Sequence, residues 1–126
     1  MELRLVARPS AATAGRHWVK RTLAEQGVPA DASDVIELLT GELLANAVLH
    51  GPRSGDIRIR TWRTGQLISV AVSDESARAP VVKSPAPTTP NGRGMMLVDA
   101  LSSAWGVDDR GAAGKTVWFS FDVGAA

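Results

Sequence analysis

The 126-residue sequence contains no cysteine, which excludes disulfide frameworks, thiolate chemistry and Cys-based zinc sites. Its two histidines, His17 and His50, lie too far apart in sequence to suggest a His-rich metal site. It also lacks a charge excess: 14 Lys and Arg against 13 Asp and Glu leave a net charge of +1. Direct nucleic-acid binding needs a concentrated basic surface, so this balance argues against it. No stretch approaches the roughly 18–20 uninterrupted apolar residues of a membrane span. The opening Met1–Pro9 alternates charged with apolar residues and lacks the apolar block of a signal peptide. There is no internal repeat, and the one biased stretch is a Pro-rich run near residues 80–90. What is present is an ordinary globular mix, 44% hydrophobic and 21% charged, long enough for one two-layer core. The expectation is a soluble cytoplasmic protein in which residues 1–126 form a single domain, with no direct nucleic-acid partner and no membrane.

Residues Glu2 to Ala7 alternate as a short strand would, with Leu3 and Leu5 on one face. Ser10 is a plausible N-cap for a helix running to about Gln26 and closed by Gly27. A second helix is expected from Asp31 or Ser33 to about His50, stopped by Gly51 and Pro52. Asp56–Arg63 and Gln66–Ser73 read as strands joined at Thr64-Gly65, a hairpin signal. Four prolines, Pro80, Pro85, Pro87 and Pro90, make Glu75 to Asn91 a loop. Gly92-Arg93-Gly94 opens a third helix ending near Ala104, and Trp105–Asp109 with Lys115–Val123 form a last hairpin. Val117, Phe119, Phe121 and Val123 alternate, so that strand has one buried face. Hairpins separated by helices predict an α+β sandwich with a largely antiparallel sheet.

The second helix carries an anomaly. Val35, Leu38, Leu39, Leu43, Ala47 and Leu49 mark its apolar face, while Leu44 and Val48 point the other way. At 100° per residue, steps of four drift only about 40° round the axis. Glu42, Asn46 and His50 are such steps and fall within the apolar arc. A buried carboxylate and a buried amide are costly unless satisfied. One solution is a structural polar cluster, with Asn46 bonded to backbone and Glu42 paired to an arginine. The other is a site between helix and sheet, with Glu42 as proton acceptor and Asn46 as an oxygen ligand for Mg²⁺, which takes hard donors and substrate phosphates. His50 also reads simply as a helix-end histidine favoured by the C-terminal dipole.

Asp74 ends a strand ahead of the loop, as a turn residue would. It is also placed to accept a hydrogen bond from an exocyclic amine such as adenine N6, where guanine offers a carbonyl. Gly92 and Gly94 just before a helix let a phosphate approach free backbone N–H groups, and Arg93 could clamp it. A lid hinge with a solvated arginine explains the same residues.

In order and spacing, Glu42-Leu-Leu-Ala-Asn46-Ala-Val-Leu-His50-Gly51, Asp74-x-Ser76 with Pro80, Gly92-Arg-Gly94-Met-Met-Leu-Val and Gly114-Lys-Thr116-Val-Trp resemble the GHKL (histidine-kinase-like) ATPase superfamily. Within it the chain is similar to small anti-sigma-factor serine/threonine kinases and related bacterial ATP-binding regulators. The resemblance implies a Bergerat-type fold: a mixed, mostly antiparallel sheet with three helices on one face and ATP between them. It makes Glu42 the general base or water-orienting acid, Asn46 the Mg²⁺ ligand and Asp74, with Ser76 in the same box, the adenine contact. Gly92, Arg93, Gly94 and Met95 fall in the phosphate-binding box, and Thr116 near the adenine. Three departures stand out. Ser76 replaces a commoner Gly, Met95-Met96 replaces a Leu-containing pair, and the loop after Ser76 is short and Pro-rich, so ATP should be poorly enclosed.

The function this implies is a Mg-ATP-dependent protein serine/threonine kinase that phosphorylates an antagonist protein and takes part in transcription regulation. The alternative is a nucleotide-dependent binding module without useful phosphotransfer. Expected partners are ATP, Mg²⁺ and a sigma factor or anti-anti-sigma antagonist, with a homodimer allowed. A complete sensor histidine kinase is disfavoured, since no phosphoacceptor His with a helical dimerisation segment is present. Arg58, Arg60 and Trp62 share one strand face, and Arg16, His17, Lys20 and Arg21 cluster on the first helix. Either set can serve as a partner surface or as ordinary solvated faces.

Overall fold

The chain alternates short amphipathic strands with helices, and each needs a partner layer to cover its apolar side. The computed structural model describes residues 1–50, 56–74, 90–109 and 114–124. In chain order they form β1 (Glu2–Val6), α1 (Ser10–Glu25), α2 (Ala30–His50), β2 (Asp56–Thr64), β3 (Leu67–Asp74), α3 (Pro90–Leu101), β4 (Ala104–Asp109) and β5 (Lys115–Asp122). The strands make one five-stranded sheet in the order β1-β2-β3-β5-β4. Each of its four pairings is antiparallel, so the expected α+β sandwich is present without a parallel component among the described strands.

Three helices cover one face of this sheet. Ile57 and Ile59 of β2, Ile68, Val70 and Val72 of β3, and Val117 and Phe119 of β5 point toward them and are buried. Val19, Leu23, Ile36, Leu39, Leu43 and Leu44 close the core from the helical side. Each such Leu or Ile contributes about 1.5–3 kcal/mol by leaving water. The exposed Lys20–Asp34 bridge between α1 and α2, at 3.1 Å, contributes little by comparison. Lys20 is held above its ordinary pKa first by its hydrogen bond to Asp34 and then by the charges of Asp34 and Glu37. Apolar burial, not surface pairing, therefore fixes the helices.

Two details depart from the sequence expectations. Ser10 is the first helical residue of α1; Pro9 occupies the cap position and no side chain caps the helix. Leu44 is fully buried whereas Leu38 is 43% exposed. The cause is Gly15 of α1, where a Cβ would collide with the Leu44 and Ile59 side-chain tips. Its missing side chain lets α1 and α2 approach, and Leu44 fills the contact. Gly15→Val should overpack this seam and lower stability by about 1–3 kcal/mol, read from the denaturant midpoint at unchanged m-value. As expected, Gly27 ends α1 with φ +73°, a conformation that favours glycine.

The other sheet face carries no helix among the described elements. Arg58, Arg60 and Trp62 do share it and are exposed, with the Arg60 guanidinium 5.9 Å from the Trp62 ring centre. The small residues Ser69 and Ala71 of the central strand lie beneath these neighbours and Trp118, so β3 is buried on both sides.

Candidate functional site

Helix α2 presents different sides to different partners. Glu37, Gly41 and Leu44 face α1, where Glu37 lies 3.9 Å from Lys20 and Gly41 abuts the Arg16 side chain. Asn46 and Glu42 lie about half a turn away, on the side opposite α1. The buried arc centres on Ile36, Leu43 and Ala47, so Asn46 sits on its rim and the half-buried Glu42 just beyond. The sequence pattern placed both inside the arc because it counted Leu38 as core and Leu44 as outside. A rim position suits a binding group: dry enough to strengthen polar contacts, open enough to admit a ligand.

Asn46 is 4% exposed, and neither its Oδ1 nor its Nδ2 has a hydrogen-bond partner. That outcome disfavours the structural cluster in which Asn46 bonds to backbone. Two unpaired polar atoms in the interior are expensive, and native proteins keep few of them. A carbonyl oxygen in that state fits a hard divalent cation, which takes few protein ligands and completes its shell with phosphates and water. No cluster of three or more acidic, His or Cys ligands occurs among the described residues.

Asp74 stands at the end of β3 on the helix-covered face, in phase with Val70 and Val72. Its cross-strand neighbour is Lys115 of β5, in phase with Val117 and Phe119. The two side chains are 2% and 1% exposed, and Lys115 Nζ lies 3.4 Å from Asp74 Oδ2. The ammonium nevertheless makes no hydrogen bond. Separation is short enough for an ion pair, but the alignment is not that of a donated hydrogen bond.

Thr116 is not brought beside Asp74 on the helix-covered face. Strand alternation turns it to the uncovered face, where its hydroxyl is 2.8 Å from that of Ser73. There it lines a cleft of about 290 Å³ between Trp62 and Trp118. Lys115 occupies the place beside Asp74 instead. Sequence reasoning missed it, although the signal was present: Lys115 extends the Val117, Phe119, Phe121 alternation by one step.

Helix α3 begins at Pro90, so Gly92 and Arg93 fall within its first turn and Gly94 opens the second, rather than lying before the helix. Met95, 2% exposed, packs with Val98 into the core. The indole of Trp105 on β4 donates to Asp99 of α3 at 2.8 Å, tying helix to sheet. Ser76 and the Pro-rich run at 80–89 lie outside the described residues, as do the side chains of His50 and Arg93.

Three helices on one face of a five-stranded antiparallel sheet, with a strand-end acid and a helix-rim amide, define a GHKL-type ATPase fold. Residues 5–121 match the histidine kinase-like ATPase domain family, and the chain belongs to it. ATP binding comes with that family. Among solved structures, the chain is similar to the RsbU and RsbW domains of Rv1364c from Mycobacterium tuberculosis at 23% identity and a TM-score of 0.73, covering 97% of this chain and 32% of that one. It is similar to the histidine kinase domain of an Erythrobacter litoralis blue-light activated histidine kinase at 24% identity and a TM-score of 0.60, covering 76% and 46%. The Acinetobacter baumannii histidine kinase AdeS shares the fold at 13% identity and a TM-score of 0.57, covering 96% and 68%. The first two matched chains are thus much longer than the part this chain spans. No curated protein matches the sequence. No described helix is long and apolar enough to cross a membrane.

Proposed function

We propose that this chain is a regulatory protein serine/threonine kinase of the anti-sigma-factor type, transferring the γ-phosphate of ATP to a hydroxyl on an antagonist protein. The observation that carries the reading is Asn46, buried with both polar atoms unpartnered, one helical turn from Glu42. Asn46 Oδ1 would hold Mg²⁺, which in phosphoryl transfer neutralises charge developing on the phosphates. Glu42, on the same stripe but less buried, would accept the proton of the attacking hydroxyl as its oxygen bonds to the γ-phosphorus and the β–γ bridge breaks. ADP leaves with the bridging oxygen. Asp74 would accept from adenine N6, and Gly92, in the first turn of α3, would offer its backbone N–H to phosphate, with Gly94 one position beyond the free N–H groups leaving room for the approach. The motif order, and the RsbW domain in one similar structure, support the anti-sigma reading and a protein partner, and this chain and its partner would act in the cytoplasm.

Glu42→Gln keeps the shape and removes the base. It should leave the ATP dissociation constant unchanged while slowing transfer of labelled phosphate to candidate antagonist proteins by about 10²–10⁴-fold. Unimpaired transfer would remove Glu42 from the chemistry. A wild-type chain that binds ATP but phosphorylates none of them would favour the binding-module alternative.

A further inference from the structure

Lys115 has no role in the phosphotransfer just described, yet it is the one buried cation among the described residues. Dehydrating an ammonium is costly and needs good geometry in return. Here the return is incomplete, because Nζ has three donors and donates none, with the Asp74 carboxylate 3.4 Å away. Simple neutralisation of Asp74 would be served better by an aligned hydrogen bond. Instead, an acceptor and an unused donor stand side by side on adjacent strands, both dry and both on the face covered by α2 and α3.

That order has a complement in chemistry. The Watson–Crick edge of adenine presents a donor, the N6 amino group, next to an acceptor, ring N1. Flipped or free bases are commonly read along this edge. Resting on the ATP-binding reading above, we propose that Asp74 and Lys115 form a two-point adenine reader, Asp74 accepting from N6 and Lys115 donating to N1. Lys115 is then a specificity-determining residue. In the same pose guanine offers a carbonyl to the carboxylate and an N–H to the ammonium, so both contacts turn repulsive. Two reversed contacts reject the wrong purine more strongly than one, because each sets acceptor against acceptor or donor against donor.

The test first edits the ligand and then the protein. In calorimetric titrations of the wild-type chain with magnesium present, 1-deaza-ATP, which keeps N6 but lacks N1, should bind about ten- to hundredfold more weakly than ATP. By contrast, 7-deaza-ATP keeps both groups and should bind like ATP. In Lys115→Met the difference between ATP and 1-deaza-ATP should disappear. Equal wild-type affinity for ATP and 1-deaza-ATP overturns the reader while leaving ATP binding standing, as does an equal loss with 7-deaza-ATP. Failure of ATP itself to bind overturns the nucleotide reading and the reader together.

Discussion

Lys115→Met should lower the folding free energy by about 3–5 kcal/mol, the usual cost of removing one partner of a buried ion pair. The substitution keeps a long side chain in the core, so little packing is lost. What changes is Asp74, left as a carboxylate 2% exposed with its cross-strand cation gone. Adding Asp74→Asn should recover most of the loss, since the amide keeps an acceptor without carrying a charge that needs neutralising. The pair is thus coupled, and the double variant should be far more stable than the sum of the two single losses predicts. Denaturant melts of the four proteins check this. A Lys115→Met loss below about 1 kcal/mol, typical of exposed pairs, would mean that water reaches the pair.

Asn46→Leu should do the opposite to stability. It removes two buried polar atoms that have no partner and puts a similarly branched apolar side chain in their place. Leaving such groups unpaired costs about 1–3 kcal/mol, so the ligand-free protein should gain about that much. The same change should abolish magnesium-dependent ATP affinity, because no oxygen remains to hold the ion. Melting with and without Mg-ATP separates the two effects: wild type is stabilised by ligand, increasingly with the logarithm of its concentration above the dissociation constant, and the variant is not. Loss of stability in Asn46→Leu would show that the amide is satisfied in solution and is structural. A gain in stability with loss of binding is the pattern of a functional polar group held at a cost to the fold.

Much of the architecture was legible because it depends on local periodicity. The strands, the hairpin at Gly65 and the three helices are located to within a few residues, since alternation, turn residues and helix stops act over a few positions. The Glu42–Asn46 stripe was legible for the same reason: four residues bring side chains to one side of any helix. The placing of Thr116 beside the adenine passed over that same local alternation, whereas the burial of α2 went wrong because a neighbour decided the outcome. Leu38 and Leu44 are the same residue type on the same helix, and only the bare seam at Gly15 selects Leu44 for burial.

Sequence alone determined the order of elements, the phase of each strand and the pairing of an acid with an amide on one helix, because each is a relation between near neighbours along the chain. It also made Lys115 and Thr116 face opposite ways. Only the tertiary structure decided that β5 lies beside β3 in the register that sets Lys115 against Asp74. Likewise, only the packing of α2 on α1 and the sheet left the Asn46 amide dry and unpaired. Strand register and dehydration are fixed by contacts between distant segments, and no local pattern encodes them.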